Sequence, residues 1–243
     1  MGKVLAVTSG KGGVGKSTFS IGMGFAFASM GKKVLLVDMD EGLRCLDLLL
    51  KIDKTAVFDL SDILNGGEIE NAVYPTPLWE NLFLIPAPLR AGMIDAFEFA
   101  KFADSAKELY DIVIFDFPAG IDFTLYASLP KESLFITVAV PDPISIRDAA
   151  AVSQQLYSMN LNSRLVINRF VYKQSRKYKV KNIDEIIDKS SLRLLGLVPE
   201  SDEMRLFSLS HKLKKRGKAA LAYKRIARRI DGENILLPKL KKI

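Results

Sequence analysis

A chain of 243 residues with one cysteine, Cys45, and one histidine, His211, is closed to several kinds of chemistry from the outset. One thiol forms no internal disulfide. It also falls far short of the four cysteines of an iron–sulfur cluster or a structural zinc site, and a second copy of the chain would add only one more. A lone histidine argues against a Ser/His/Asp triad and against a multi-histidine metal centre. No apolar run approaches the roughly 20 residues that span a bilayer. Met1-Gly2-Lys3 leads straight into an apolar segment, so no signal peptide is expected and the cytoplasm is the expected compartment. Internal repeats and low-complexity linkers are lacking too. With 49% hydrophobic and 26% charged residues, nothing favours disorder or a coiled coil.

What remains suits one large α/β domain. Short apolar runs alternate with longer amphipathic stretches, the pattern of βα units around a buried parallel sheet. Strands are predicted at 3–8, 33–38, 81–86, 111–116, 133–139, 163–168 and 192–198, and helices at 16–30, 59–65, 92–109, 143–158, 182–189 and 217–230. The expected fold is a single doubly wound, mostly parallel sheet with helices on both faces. Residues 1–232 form the domain and residues 233–243 a basic amphipathic tail. Ligands of such sheets bind beyond the carboxyl ends of the strands. Gly10 to Ser17, Asp38, Asp40, Asp116, Asn168 and Arg169 all fall there.

Residues 10–17 read Gly-Lys-Gly-Gly-Val-Gly-Lys-Ser, the G-x-x-x-x-G-K-[ST] pattern, between a predicted strand and a predicted helix. Glycines at Gly10, Gly12, Gly13 and Gly15 let successive backbone N–H groups, Val14 among them, turn inward around phosphate oxygens. The helix that follows aims its positive end at the same anions. Lys16 reaches the β- and γ-phosphates, Ser17 is a ligand for Mg²⁺, and Thr18 adds a phosphate contact. Asp116 ends an apolar strand, where a Walker B carboxylate holds the magnesium shell; Asp38 is placed similarly and acts through water. The expected cofactors are a nucleoside triphosphate and Mg²⁺.

Lys11 makes the loop Lys-Gly-Gly-Val-Gly-Lys-Ser-Thr, which resembles the deviant Walker A signature of the MinD/ParA superfamily. The resemblance runs nearly the length of the chain and is strongest to the MinD group. It is carried by 7–18, 37–47, 116–122 (DFPAGID), 141–148 (PDPISIRD), 167–169 (INR) and 195–200 (LGLVPE). It implies an ATPase that dimerises face to face when ATP is bound, with Lys11 reaching the other subunit's phosphates. It implies further that Asp40 orients the attacking water, that Asn168 recognises adenine with Arg169 flanking the base, and that Pro199 and Glu200 form a second adenine-side loop. The catalytic residues would be Lys11, Lys16 and Asp40. Phe117 and Cys45 depart from the residues common in MinD, and the basic stretch 211–216 replaces a polar, Gly/Pro-containing segment.

Charge bears on partners. Residues 1–163 hold 13 Lys/Arg against 20 Asp/Glu, net −7, whereas residues 164–243 hold 22 against 8, net +14. Such an excess suits an anionic surface, either lipid or DNA. The MinD resemblance implies reversible attachment to the inner face of the cell membrane, through Leu236, Leu237, Leu240 and Ile243 on one face of a short helix beside Lys239, Lys241 and Lys242. It also leaves room for an activating partner protein at the dimer interface. The alternative is a ParA-like ATPase whose basic face binds DNA nonspecifically. A third reading, a nucleotide-binding adaptor without hydrolysis, is opposed by the intact Lys16, Ser17, Asp40 and Asp116.

Overall fold

Strands that are apolar on both faces need cover above and below, which helices between successive strands provide. The computed structural model describes residues 1–172, 183–211, 213, 214 and 216–242. Residue 182 of the predicted helix 182–189, Lys212 and Lys215 of the basic stretch, and Ile243 of the tail lie outside the described residues, as do the side chains of Ser208 and Lys242.

The described strands are β1 (Lys3–Thr8), β2 (Val34–Asp38), β3 (Tyr74–Pro75), β4 (Leu82–Ile85), β5 (Ile112–Asp116), β6 (Leu134–Ala139), β7 (Asn162–Phe170) and β8 (Leu194–Pro199). They form one sheet in the order β3-β4-β2-β5-β1-β6-β7-β8, parallel except for β3. The seven longer strands lie where the hydrophobic pattern puts them. β3 was not anticipated, because two residues carry no periodicity; Pro75 suits an edge, where one fewer donor is tolerated.

The helices are α1 (Lys16–Ala28), α2 (Leu46–Leu50), α3 (Leu60–Leu64), α4 (Ile69–Ala72), α5 (Ala96–Leu109), α6 (Phe123–Ala127), α7 (Pro143–Ser158), α8 (Ile183–Ser190), α9 (Asp202–Arg205), α10 (Phe207–Ser210) and α11 (Lys218–Ile230). Those missed by the sequence pattern, α2, α4, α6, α9 and α10, are about one turn long and too short to show a periodic face. α5 begins four residues later than predicted, at Ala96, because the Asp95 carboxylate caps it by accepting from the N–H groups of Phe97 and Glu98. Asp142 caps α7 in the same way, ahead of Pro143 at the first helical position.

α1 is buried continuously from Phe19 to Phe27, as befits a helix apolar all round. It lies between the sheet and α11. A Cβ on Gly22 would meet the Tyr223 ring at 2.4 Å, so only glycine allows this approach. α11 buries Ala219, Ala222, Tyr223 and Ile226, a stripe at helical spacing. Its basic side is partly engaged. Arg229 donates to the carbonyls of Leu195 and Ile235, Arg228 pairs with Glu233, and Lys224 and Arg225 are half-buried. On the opposite face of the sheet, Leu60, Phe99, Phe102, Val152 and Leu156 from α3, α5 and α7 cover Val4, Ala6, Leu35 and Phe115.

The tail is short for a helix without a membrane to order it. Among its described residues, 233–239 are not helical and a 3₁₀ turn forms at Leu240–Lys242. Leu236 is 82% exposed, while Leu240 packs on the cluster built by Ile146, Phe170 and Ile183. With Pro238 interrupting the segment, the leucines share no common face here.

Candidate functional site

Register sets the first coordinates of the site. Asp38 on β2 pairs with Asp116 on β5, and Asp116 pairs in turn with Val7 on β1, just before the glycine-rich loop. Equivalent positions on neighbouring parallel strands send side chains to the same face. Both carboxylates therefore meet on the side covered by α1, and Ser20 of that helix donates to Asp116 Oδ1 at 2.8 Å. Asp38 accepts three backbone N–H groups, from Asp40 and Leu46 at 3.0 Å and from Cys45 at 3.1 Å. One buried carboxylate thus folds the chain from Asp40 to Leu46 over the strand ends.

Burial of these charges shifts their protonation. The Asp116 carboxyl is pushed up to about 7 by burial and by neighbouring Asp38, against the hydroxyls of Ser17 and Ser20 and the charge of Lys16. Burial also raises Asp38, opposed by its three N–H donors. The Lys16 ammonium is lowered by burial, with Asp116 and Asp40 pulling it back. Two partly compensated acids beside one lysine form a place where a dication relieves repulsion. Cys45 stands beside this group: its thiol donates to Ser17 Oγ at 3.6 Å, and burial pushes it up to about 12, so it is a neutral neighbour of the predicted metal ligand.

The loop itself fits an anion. Gly13 and Gly15 have φ of 76° and 90°, in the left-handed region. The backbone N–H groups of Gly15 to Thr18 open α1 without an intrahelical acceptor, the first such bond running from Phe19 N–H to the Gly15 carbonyl. These are the donors that phosphate oxygens use at a helix N-terminus. Lys11 projects sideways, its Nζ 3.9 Å from Asp142 Oδ2 of the same chain. Gly10 lies against the backbone of Asp148 in α7, and Gly12 borders open space.

Next to the loop is a cavity of about 200 Å³. It brings together Gly15, Thr18, Asn168, Arg169, Pro199 and Glu200, with Met204 and Tyr223 as apolar walls. Asn168 donates its amide N–H to the Val14 carbonyl at 2.9 Å, so β7 and the phosphate loop are joined directly. The Glu200 N–H donates to the Phe170 carbonyl at 3.0 Å and holds the Pro199–Glu200 turn against the end of β7. Phe117, one of the departures from the MinD pattern, is buried edge-on against Tyr126 at 4.8 Å and belongs to the core, not to the phosphate site.

Sequence reasoning missed Ser20, although its spacing of three residues from Ser17 puts both on one face of α1. It also missed Glu41, whose partners lie some fifty residues away in the chain and leave no local signal.

The profile of the CobQ/CobB/MinD/ParA nucleotide binding domain matches residues 5–223. The chain belongs to this family. Within the family it is 33% identical to the septum site-determining protein MinD of Bacillus subtilis, over 99% of this chain and 93% of that protein. The MinD of Synechocystis is 31% identical, over 97% and 91% respectively. The solved MinC:MinD cell division protein complex of Aquifex aeolicus superposes with a TM-score of 0.88 at 32% identity, covering 98% of each chain. The septum site-determining protein MinD of Pyrococcus horikoshii, complexed with Mg-ADP, gives 0.82 at 27% identity, covering 95% of this chain and 96% of that one. Family membership agrees with the doubly wound sheet and with a nucleotide site at the carboxyl ends of β1, β2, β5, β7 and β8.

Proposed function

We propose that this chain is a MinD-like, magnesium-dependent ATPase that hydrolyses ATP to ADP and phosphate and acts as a switch in cell-division site placement. The observation that carries the reading is likeness to MinD proteins along the whole chain, joined to one sheet rim that collects the loop, both lysines, the paired carboxylates and the cavity. Gly10 to Thr18 bind the phosphates, Lys16 neutralises the β/γ oxygens, and Ser17, Asp38 and Asp116 hold the Mg²⁺ shell. When bound, Mg²⁺ screens the charge on the transferring phosphoryl group. Asp40 orients water in line with the γ-phosphorus, and positioning with charge neutralisation supplies most of the catalysis. Asn168, Arg169, Pro199 and Glu200 line the base cavity.

In this reading residues 1–232 are the ATPase domain and residues 233–243 the anchor. ATP joins two copies face to face, and Lys11 leaves Asp142 to reach the partner's phosphates. The MinC:MinD complex of Aquifex aeolicus supports a second protein, distinct from the chain itself, as a partner. Each fully buried leucine in the tail contributes about 1.5–3 kcal/mol at a bilayer interface, and each lysine near anionic lipid about 1 kcal/mol. Leu240 must first leave its seat on the domain, and ordering the segment consumes much of the remainder. One tail therefore binds weakly, and two joined by the dimer bind far more tightly.

Sedimentation with phosphatidylglycerol vesicles and with duplex DNA, each with ATP, ADP or no nucleotide, tests the reading. The full chain should pellet with vesicles only in ATP. Removing residues 235–243 should abolish pelleting while light scattering still shows an ATP-dependent dimer. Binding to DNA alone, with ATP, would replace the membrane reading with the ParA-like one.

A further inference from the structure

Between β2 and α2 the chain passes Asp40 and is then tied to a distant loop. The Glu41 carboxylate accepts three consecutive backbone N–H groups: Gly92 at 3.1 Å on Oε2, and Met93 at 2.7 Å and Ile94 at 3.0 Å on Oε1. Gly92, with φ of 81°, turns these N–H groups to one side, the arrangement that makes a backbone nest for an anion. Asp95 then takes the next donors of the same run, the N–H groups of Phe97 and Glu98. A second tie runs alongside, from the Gly42 N–H to the Pro88 carbonyl at 3.0 Å.

Asp40 is therefore held from two directions. Its own N–H donates to Asp38 Oδ1 at 3.0 Å, its carbonyl accepts from Leu43 and Arg44, and the residue after it is clamped to the 92–94 run. Asp40 lies close enough to Lys16 for its charge to act on the ammonium, whereas the Glu41 carboxylate is taken by the N–H groups of residues 92–94. None of the chemistry assigned above uses the Glu41 carboxylate.

We infer that Glu41 is a positioning residue, which holds Asp40 in place by anchoring its segment to the N–H groups of residues 92–94. The inference rests on the reading that Asp40 orients the attacking water. Displacement of a reacting group by about an ångström costs up to about 100-fold in rate. Losing one of two anchors should cost less, on the order of tenfold. Glu41 is only partly buried, so water replaces its carboxylate when it is removed and the fold survives.

The test is single-turnover ATP hydrolysis and Mg·ATP affinity on the full chain, for Glu41→Ala, Glu41→Gln, Asp40→Ala and the Asp40→Ala/Glu41→Ala pair, with amide exchange at residues 92–94. Glu41→Ala should slow hydrolysis about tenfold while nucleotide affinity stays within about twofold, and its 92–94 amides should exchange faster. Glu41→Gln keeps the acceptor oxygen at the same length and should recover part of the rate. The double variant should be no slower than Asp40→Ala alone, because both changes act on one group. A slow Asp40→Ala beside a normal Glu41→Ala overturns the proposal and leaves the water-orienting reading intact. Rate losses that multiply in the double variant, or that come with a matching loss of affinity, also overturn it. Normal hydrolysis by Asp40→Ala removes the water-orienting reading, and the proposal with it.

Discussion

The sheet rim and the C-terminal tail are both charged, both predicted to be functional, and held in opposite ways. At the rim, Asp116 sits in register with Asp38 and Val7, accepts from Ser20, and is fully buried. Among its described residues the tail is tied to the domain through Glu233 on Arg228, the Ile235 carbonyl on Arg229 and the Leu240 seat, and Leu236 projects into solvent. The difference teaches where a motif predicts geometry. A loop between a strand and a helix inherits its position from a packed sheet, whereas an eleven-residue terminus takes whatever surface is nearest.

The largest effect should come from the rim. Lys16→Ala should weaken Mg·ATP binding about 100-fold, equivalent to ~3 kcal/mol, by removing a half-buried charge that faces the phosphates. Calorimetry that finds parental affinity would mean the loop is a glycine-rich turn and no phosphate site, and the contrast with the tail would vanish.

A smaller effect follows from the buried carboxylates. Asp116 is raised from an ordinary 3.8 to about 7 in the folded chain. Between those values the folded state binds more protons than the unfolded state, so the stability of the nucleotide-free protein should fall as pH rises from about 4 to about 7 and then level off. Asp38, raised as well by burial, acts in the same direction over the lower part of this range. In Asp116→Asn, denaturant titrations should show a flatter profile over the same range. An unchanged profile would place the proton elsewhere.

The smallest effects belong to the tail. Leu236→Ala should change stability by less than about 0.5 kcal/mol, and Leu240→Ala, which loses a half-buried contact, by about 1 kcal/mol. Unfolding that costs more than about 2 kcal/mol for either would make the tail part of the cooperative fold and erase its difference from the rim.

Much of the rim was legible in advance because its signals are local. The glycines with their lysines mark the loop, and apolar runs ending in Asp38, Asp116 and Asn168 mark three strand ends. The tail was legible only as composition. Its leucines and lysines fit a helical face on paper, but Pro238 and the apolar cluster around Phe170 decide its path here. The partners of Arg229 on α11 were illegible for a related reason, because the carbonyls of Leu195 and Ile235 come within its reach only in the folded chain.

Period and spacing by themselves determined that this chain alternates strands and helices, that a phosphate loop opens its first helix, and that its functional groups end strands. Those properties depend on residues a few positions apart, whose geometry the backbone sets. Only the tertiary structure decided that Asp38 meets Asp116, that Asn168 holds the Val14 carbonyl, and that Glu41 clamps the N–H groups of residues 92–94. Such pairings join groups tens to more than a hundred residues apart. Packing of the whole sheet brings them together, and no local pattern records it.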